Sequence, residues 1–497
     1  MDKKSLFLIL GVFFIVLLAG VLSEPCLGDE VFHYRFAQGM FESHARPTVD
    51  AIYRNTFGGY FYNTEPLWHF LLAVLWFVAG GISPFIAQIY HASYTLLLLL
   101  GVYFLARHLL GENEAFYSVL LTATCPMMVA FGILFYVDIA EAAFLILSFL
   151  FLLRRKIAFS AVFFALACLF KITVLLFLPA WMFIMLWDKR HGFWERSRQF
   201  VFFVIPSAVL MSGEMLWRKS HLGATRLLQG AGHTVNHLSF WEALKRRVLL
   251  QDWGLLLESY SNSSLLNLMD VLKYFGVPLL ILIVMYFLMR QIPKKRHSVL
   301  WMPIIVYLLG FCYIFHPASD IRYLLVLVPF LGILAATVAV KLMSRFLLRV
   351  LLVSLCLFQM GGAAVYVAQK RQVTPGIQEG FDFIQETVPE GTLVIYSEMI
   401  ILEKTNRGYV WANHLFRDQL RKLFWGDDKK EVIDFMMDQN IRYLAVKKDR
   451  IYDDSNRHHF GGYPQSFVKQ LGAIPYFKKV FENDEMAVWF ISASGEM

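Results

Sequence analysis

Eleven long apolar runs are the feature that most constrains this chain. Only 17% of its 497 residues are charged and 58% are hydrophobic, whereas an average soluble domain has about 25% charged residues. The sequence therefore predicts a polytopic α-helical membrane protein with about 11 spans. The runs lie at roughly 6–22, 85–106, 114–134, 139–153, 157–170, 173–187, 199–217, 272–290, 298–316, 323–340 and 347–368.

Positive charge beside the runs predicts the side on which each loop lies, because Lys and Arg near helix ends stay on the cytoplasmic side. The run at 6–22 has a basic start, as a signal peptide does, but Ser23-Glu24-Pro25 is a poor cleavage site, so we interpret it as an uncleaved first helix. With Lys3 and Lys4 inside, every second loop is basic. These loops contain Arg107, Arg154 to Lys156, Lys189 to Arg198, Arg290 to Arg296, and Lys341 to Arg349.

One apolar stretch, at 67–79, is too short for this count. It has about 13 residues between Pro66 and a Gly pair, and apolar runs of about 10–14 residues are usually re-entrant or interfacial. We predict that it lies on or dips into the outer surface. Counting it as a span would place Arg107 and the cluster at 154–156 outside.

The last part of the chain, residues 370–497, has the composition of a soluble domain. Strand-like segments such as "GTLVIYSE" and "IRYLAVKK" alternate with amphipathic helical segments such as "GIQEGFDFIQETV". We predict a small α/β domain on the extracytoplasmic side, following a transmembrane domain at 1–369. No glycine-rich phosphate loop is present in it, so the chemistry is expected in the membrane domain.

The predicted topology places most of the unusual polar residues on one side of the membrane, outside or just below the outer surface. An ionisable group at membrane depth costs at least about 2.5–3.5 kcal/mol, which makes such groups functional candidates. Together they predict an outward-facing polar pocket. The residues are Asp29, Glu30, His33, Arg35, Glu65, Asp138, Glu141, Lys171, His316, Asp320 and Arg322.

Three of these residues suit a displacement at a phosphate leaving group. Asp29, just beyond the first helix, is placed to accept a proton from an attacking hydroxyl. Lys171 lies between two half-length apolar runs, where a compact ammonium can hold a phosphate. Arg322 opens the next-to-last span and offers a bidentate fork for phosphate oxygens. Acid and cations together favour displacement of a phosphate from a lipid carrier.

Each of these residues also has a structural interpretation. Asp29 and Glu30 are also consistent with a solvated loop, and Asp138 and Glu141 with the start of a helix. Lys171 is also consistent with a side chain that snorkels to the interface. The corresponding alternatives are a packing residue for His33, a headgroup contact for Arg35 and a turn acid for Glu65.

Five segments in order resemble one family. "GDEVFHYRFAQGMFE" is similar to the acidic first-loop motif of GT-C glycosyltransferases, which use polyprenyl-phosphate sugars and include protein O-mannosyltransferases and the lipid A aminoarabinose transferase. "YFYNTEPLWHFL", "FYVDIAEAAFL", "LACLFKITVLLFLP" and "HPASDIRYLLVLVPFLGILAA" resemble their Tyr-rich segment, second-loop Asp, Leu-x-Lys turn and late Arg-Tyr span. The resemblance covers about 340 residues.

The resemblance implies roles for particular residues. Asp29 would be the catalytic base with Glu30 beside it, Asp138 a second active-site acid, and Lys171 and Arg322 the ligands of the donor phosphate. Predicted substrate contacts further include Tyr323, His33, Glu65 and His316. Glu65-Pro66 departs from many relatives, which have a second proline or a lysine there, and "DEVFH" is also similar to the enzymes that add glucose to dolichol-linked oligosaccharides.

The predicted activity is an inverting sugar transfer at the outer face of a plasma membrane. The donor would be a polyprenyl-phosphate-linked sugar, and the acceptor a hydroxyl of a lipid, glycan or protein. Membrane lipids are expected partners and nucleic acid is not. No cofactor and no metal ligand is assigned, and a requirement for a divalent cation stays open. The alternatives are a membrane transporter, although no repeated pair of broken spans is seen, and a non-catalytic subunit of an envelope-glycan assembly system.

Overall fold

The computed structural model describes thirteen stretches of the chain, which divide between two compact units. Of the described residues, the first unit contains 10–17 in part, 40–42 and 67–369, and the second contains 29–39 and 370–492. The described stretches are 10–11, 13–14, 17, 29–42, 67–187, 192–222, 268–289, 294–314, 321–342, 346–398, 400–412, 418–454 and 462–492.

The first unit is helical in its described residues. Helix α1 (Asp29–Glu42) contributes its last residues to this unit and its first eleven to the other. The following helices are α2 (Leu67–Ala79), α3 (Pro84–Leu109), α4 (Glu112–Ala123), α5 (Pro126–Ile133), α6 (Asp138–Leu153), α7 (Ile157–Phe170), α8 (Leu178–Trp187), α9 (Phe193–Leu222), α10 (Leu268–Phe275), α11 (Val277–Leu288), α12 (Lys294–Ile314), α13 (Val328–Leu342) and α14 (Phe346–Arg371).

Three described helices are long and apolar enough to cross a membrane, judged by length and composition. They are Pro84–Leu109, Arg322–Leu342 and Phe346–Thr387, and the pair α4 and α5, bent by 62°, would make a fourth. Five further apolar helices, α2 among them, have 10–17 residues. At a rise of about 1.5 Å per residue these are shorter than a hydrocarbon core of about 30 Å. The prediction of eleven spans is therefore not confirmed, although apolar helices do form at the predicted runs.

Two of the apolar runs begin as 3-10 helices rather than α-helices. One covers Ile172–Phe177 before α8, and the other covers Ile321–Leu327 before α13. In both, a proline occupies the second position of the α-helix that follows, Pro179 and Pro329 respectively. A proline has no N–H to donate to the carbonyl four residues earlier, so a continuous α-helix is interrupted there. Lys171 and Arg322 lie at these interruptions.

The second unit contains a five-stranded mixed sheet of order β2-β1-β3-β7-β6. β1 pairs in parallel with β2 and β3, and β7 pairs antiparallel with β3 and β6. A short parallel pair, β4 with β5, lies apart from it. The strands are β1 (Leu393–Tyr396), β2 (Gly408–Trp411), β3 (Ile441–Lys447), β4 (Ile451–Tyr452), β5 (Tyr463–Pro464), β6 (Phe477–Glu482) and β7 (Met486–Ile491).

Helices cover both faces of this sheet. On one face α15 (Pro375–Thr387) and α16 (Ile400–Thr405) pack against buried side chains such as Val394 and Tyr396 of β1. On the other face α17 (Asp418–Trp425), α18 (Lys430–Asp438) and α19 (Gln465–Gln470) pack against Ile395 and Leu444. Neighbouring residues of β1 thus enter different cores, because successive side chains of a strand point to opposite faces.

Candidate active site

Two buried carboxylates begin helix α6 of the first unit. Asp138 and Glu141 lie in its first turn, and their residues are 2% and 1% exposed. Residues three apart share one face of a helix, and the partial positive charge of a helix N-terminus favours carboxylates there. Val137 occupies the N-cap position, and no side-chain hydrogen bond caps the helix. The two acids therefore do more than begin a helix, because they also put two carboxylates side by side within the fold.

Lys171 brings its ammonium to both acids. Its backbone is extended (φ −160°, ψ 122°) between α7 and the 3-10 helix that follows, so its side chain leaves the helix axis. Lys171 Nζ forms an ion pair with Asp138 and lies 3.9 Å from Glu141 Oε2. The hydroxyl of Thr173 donates to Glu141 Oε1 at 2.7 Å. Only 14% of the Lys171 side chain is exposed, which is not the arrangement of a snorkelling lysine.

Arg322 and Tyr323 join this cluster from the second 3-10 helix. Lys171 Nζ lies 4.2 Å from the centre of the Tyr323 ring. The guanidinium carbon of Arg322 lies 5.4 Å from the ring centre of Tyr136 and 5.6 Å from that of Tyr323. Tyr307 donates its hydroxyl to the Tyr323 carbonyl at 2.8 Å. These distances allow cation–π attraction, so tyrosine rings lie beside both cations, and carboxylates pair with Lys171.

The four charges of this cluster balance, because two carboxylates face two cations. A phosphate approaching Lys171 would share the ammonium with Asp138 and Glu141. Arg322, beside two tyrosine rings, has a planar guanidinium fork that suits phosphate oxygens. The arrangement can therefore bind an anion beside a carboxylate pair, which is the chemistry expected of a phosphate leaving-group site.

The second unit contains the acidic first loop. Asp29 begins α1, and Glu30 beside it is fully buried and paired with Arg371. Arg371 Nη2 donates to Glu30 Oε1, and the Arg371 side chain is 4% exposed. His33, one turn further along α1, is 4% exposed, and its ring lies 5.3 Å from that of Phe32 in a T-shaped contact. Glu30 is thus an internal ion-pair partner in this structure.

Of the nine predicted site residues, the structure brings Asp138, Lys171, Arg322 and Tyr323 together in one unit, and Asp29, Glu30 and His33 onto one helix of the other. Glu65 and His316 lie outside the described residues. Sequence reasoning missed the roles of Arg371, Thr173, Tyr136 and Tyr307. In the sequence, Arg371 is a typical basic residue at the end of a helix, and only its burial in the structure distinguishes it from other such residues. Within the described stretches, no group of three or more His, Cys, Asp or Glu side chains could hold a metal ion.

A comparison with protein families finds a match for part of this helical unit. A family model for dolichyl-phosphate-mannose-protein mannosyltransferases matches residues 64–217, the stretch that contains Asp138 and Lys171. No curated protein matches the chain.

Solved structures are similar over nearly the whole chain. ArnT from Cupriavidus metallidurans, bound to undecaprenyl phosphate, has a TM-score of 0.61 at 13% identity, over 99% of this chain and 99% of that one. The chain has the GT-C fold. The apo oligosaccharyltransferase of Archaeoglobus fulgidus has a TM-score of 0.54 at 12% identity, over 90% of this chain and 70% of that one. The oligosaccharyltransferase AglB, also from Archaeoglobus fulgidus and in complex with an inhibitory peptide and a dolichol-phosphate, has a TM-score of 0.50 at 12% identity, over 90% of this chain and 70% of that one.

The GT-C resemblance predicted from the sequence motifs is therefore confirmed for the fold. The apolar helices and this fold fit a membrane protein. The family model that matches residues 64–217 is one of mannosyltransferases, which agrees with the mannosyltransferase-like motifs of the sequence.

Proposed function

We propose that this chain is an inverting glycosyltransferase that moves a sugar from a polyprenyl-phosphate carrier to a hydroxyl on a lipid, glycan or protein. The observation that carries the proposal is the buried cluster of Asp138, Glu141, Lys171 and Arg322 in a chain with the GT-C fold. ArnT was solved with undecaprenyl phosphate and AglB with a dolichol-phosphate. Both ligands are polyprenyl phosphates, which supports a carrier of this class here.

Arg322 is the proposed ligand of the leaving phosphate. Its guanidinium carbon lies 5.4 Å and 5.6 Å from the centres of two tyrosine rings, and its planar fork can bind two phosphate oxygens at once. Charge on the phosphate grows as the bond from the anomeric carbon to the phosphate oxygen breaks, and a fixed cation stabilises that change. Lys171 is paired with two carboxylates, so only part of its positive charge can stabilise the phosphate. The same pairing fixes the position of Asp138.

Asp29 is the proposed general base. It takes the proton of the acceptor hydroxyl while that oxygen attacks the anomeric carbon, and the phosphate leaves from the opposite face. One displacement at one carbon inverts its configuration. The pocket and the domain at 370–497 would face outward from the plasma membrane, in the predicted orientation with eleven crossings.

The experiment is donor-dependent transfer by the purified chain. Decaprenyl-phosphate mannose and undecaprenyl-phosphate aminoarabinose would be supplied in turn with lipid, glycan and peptide acceptors, and released polyprenyl phosphate measured. We expect release that requires the chain and a donor. Asp29→Asn should reduce turnover by about 10²- to 10⁴-fold, as loss of a general base does, with donor binding retained. Glu42→Gln is the matched control, since Glu42 ends the same helix and is exposed.

Two outcomes would contradict the proposal. An Asp29→Asn variant that is folded and turns over normally would remove Asp29 as the base. Sugar or ion flux through the chain in vesicles, without release of polyprenyl phosphate from any donor, would favour a transporter instead.

A further inference from the structure

The sheet of the second unit has a chain reversal at the carboxyl ends of its parallel strands. From β1 the chain passes through α16 to β2 on one side, and from β2 it passes through α17 and α18 to β3 on the other side of β1. α16 packs on one face of the sheet and α17 and α18 on the opposite face. In open α/β sheets, ligands bind in the crevice that such a reversal creates outside the carboxyl ends of the strands.

The residues at this edge are polar and partly enclosed. Glu398 follows β1 and Arg450 follows β3. Arg450 Nε and Nη2 donate to Glu398 Oε1 at 2.9 Å and 2.6 Å, and Lys447 Nζ lies 3.3 Å from the same oxygen. Side-chain exposure is 20% for both Glu398 and Lys447. All three contacts converge on Oε1 and fix the carboxylate in one orientation.

A buried hydroxyl at the end of β1 has no hydrogen-bond partner among the described residues of the unit. Tyr396 is fully buried, and within the described residues its Oη has no hydrogen-bond partner. Tyr396 is the last residue of β1, two positions before Glu398. Burial raises the pKa of Tyr396, the carboxylates of Glu398 and Asp449 raise it further, and Arg450 opposes them. A buried hydroxyl without a partner costs about 1–3 kcal/mol, which a bound ligand would recover.

We propose that the carboxyl edge of this sheet, between β1 and β3, is a binding site for a glycan. Hydroxyl groups of a sugar can donate to the fixed Glu398 carboxylate, accept from Arg450 and exchange hydrogen bonds with the Tyr396 hydroxyl. The indole of Trp411, at the end of β2, is half-buried and is anchored here because its Nε1 donates to the Ser397 carbonyl at 3.1 Å. Aromatic rings are surfaces on which sugar rings stack. A simple anion fits less well, because Arg450 and Lys447 are already neutralised by Glu398 and Asp449.

The glycan would be part of the acceptor, and this identification rests on the proposed function. Glycan binding itself does not, because it requires neither donor nor transfer. A failure of sugar transfer and a failure of glycan binding can therefore be told apart in separate assays.

Tyr396→Phe tests the site with the smallest change. The full chain in detergent would be examined by saturation-transfer NMR with the methyl glycosides of mannose, glucose, galactose and N-acetylglucosamine. We expect at least one glycoside to bind, with affinity weakened roughly three- to tenfold by Tyr396→Phe and about ten- to hundredfold by Glu398→Gln, as expected for a neutral and a charged hydrogen bond. Tyr443→Phe, in β3 and packed on Phe490, is the control that should bind as the native chain does.

Thermal unfolding separates a binding role from a structural one. Because the Tyr396 hydroxyl has no hydrogen-bond partner in the described stretches, its removal should leave the unfolding temperature unchanged or raise it. A lower unfolding temperature with unchanged glycoside binding would overturn the proposal. So would the absence of saturation transfer to all four glycosides, or binding of a Ser/Thr-rich peptide alone, which would make this edge a peptide site.

Discussion

At the scale of single residues, Lys171 is the centre of the candidate site in the helical unit. Its extended backbone turns the ammonium toward two carboxylates that begin another helix. Removing one partner of a buried ion pair destabilises a protein far more than replacing both partners with apolar residues, because the other charge stays buried and unpaired. Here the loss of one lysine leaves two such charges.

Lys171→Met should therefore destabilise the chain strongly, by about 3–5 kcal/mol. Combining it with Asp138→Asn should cost less than the sum of the two single changes, because the pair is coupled. Thermal unfolding in detergent measures both. Lys156→Met is the control, since Lys156 is exposed at the other end of α7. Additive losses would show that Lys171 and Asp138 do not act together.

Arg322 gives a different expectation, because its proposed partner is the substrate. Arg322→Gln should reduce turnover by about 10- to 150-fold, the equivalent of one charged hydrogen bond of about 1.5–3 kcal/mol. Arg322→Lys should restore only part of it, since an ammonium lacks the bidentate fork. Steady-state kinetics with a polyprenyl-phosphate sugar measure this, with the exposed Arg198→Gln as control. Full activity of Arg322→Lys would argue against a two-pronged phosphate contact.

At the scale of elements, the sequence predicted the helices well and their interruptions poorly. The apolar runs at 85–106, 139–153 and 157–170 correspond to α3, α6 and α7 within three residues at each end, because uninterrupted apolar composition is a strong helical signal. The 3-10 turns at Ile172–Phe177 and Ile321–Leu327 were not predicted. A proline in the first turn of a helix is ordinarily favourable, so the sequence does not reveal that the preceding turn tightens. The same limit applies to the pairing of Asp138 with Lys171, both of which were predicted separately.

Pro329→Ala tests whether this tightened turn matters to the site. Alanine restores the missing N–H, so α-helix can extend backwards through the 3-10 turn and rotate Arg322 and Tyr323 away from their present positions. We expect lower turnover with an unchanged or higher unfolding temperature. Pro84→Ala is the control, because Pro84 also opens a helix, α3, but follows a Ser83 cap instead of a 3-10 turn. Equal activity in both variants would show that the turn is not required.

At the scale of the whole molecule, the grouping of α1 with the C-terminal residues could not be predicted from the sequence. Residues 29–39 belong to the same compact unit as 370–492, and the buried pair of Glu30 and Arg371 joins them. Local patterns carry no information about contacts between residues this far apart. The strand and helix segments predicted from 370 onward do form a sheet with helices on both faces, while its outward orientation stays a prediction.

The Glu30–Arg371 pair should be replaceable as a unit and intolerant of single changes. Glu30→Gln and Arg371→Met should each destabilise the chain by about 3–5 kcal/mol, and the double change Glu30→Leu with Arg371→Met should be much better tolerated. The exposed pair Lys422–Glu431, at 3.2 Å, is the control and should contribute about 0–1 kcal/mol. Unfolding midpoints of the single and double variants decide the matter, and equal losses in all three would contradict coupling.

Membrane orientation can be tested by labelling single cysteines in intact cells with an impermeant maleimide. Gly81→Cys should be labelled from outside and Asn113→Cys should not, because α2 is predicted not to span the membrane. A Cβ at Gly81 would meet no atom within 4 Å, and the φ angle of Gly81 is not positive, so the turn can accept a cysteine. Labelling at 113 with protection at 81 would invert the predicted topology of the first helices.

The pairing of Glu30 with Arg371 also sets an order of events during synthesis. The two residues are 341 positions apart, and at about 5–20 residues per second a ribosome needs roughly 17–70 s to travel from one to the other. Throughout that interval the acidic start of α1 has emerged while its cationic partner does not yet exist. Until Arg371 is made, this segment must therefore stay hydrated or be held by an insertion factor. Glu30 is buried in the finished fold. A premature stop before codon 371 would leave its carboxylate exposed, where quality control can recognise it.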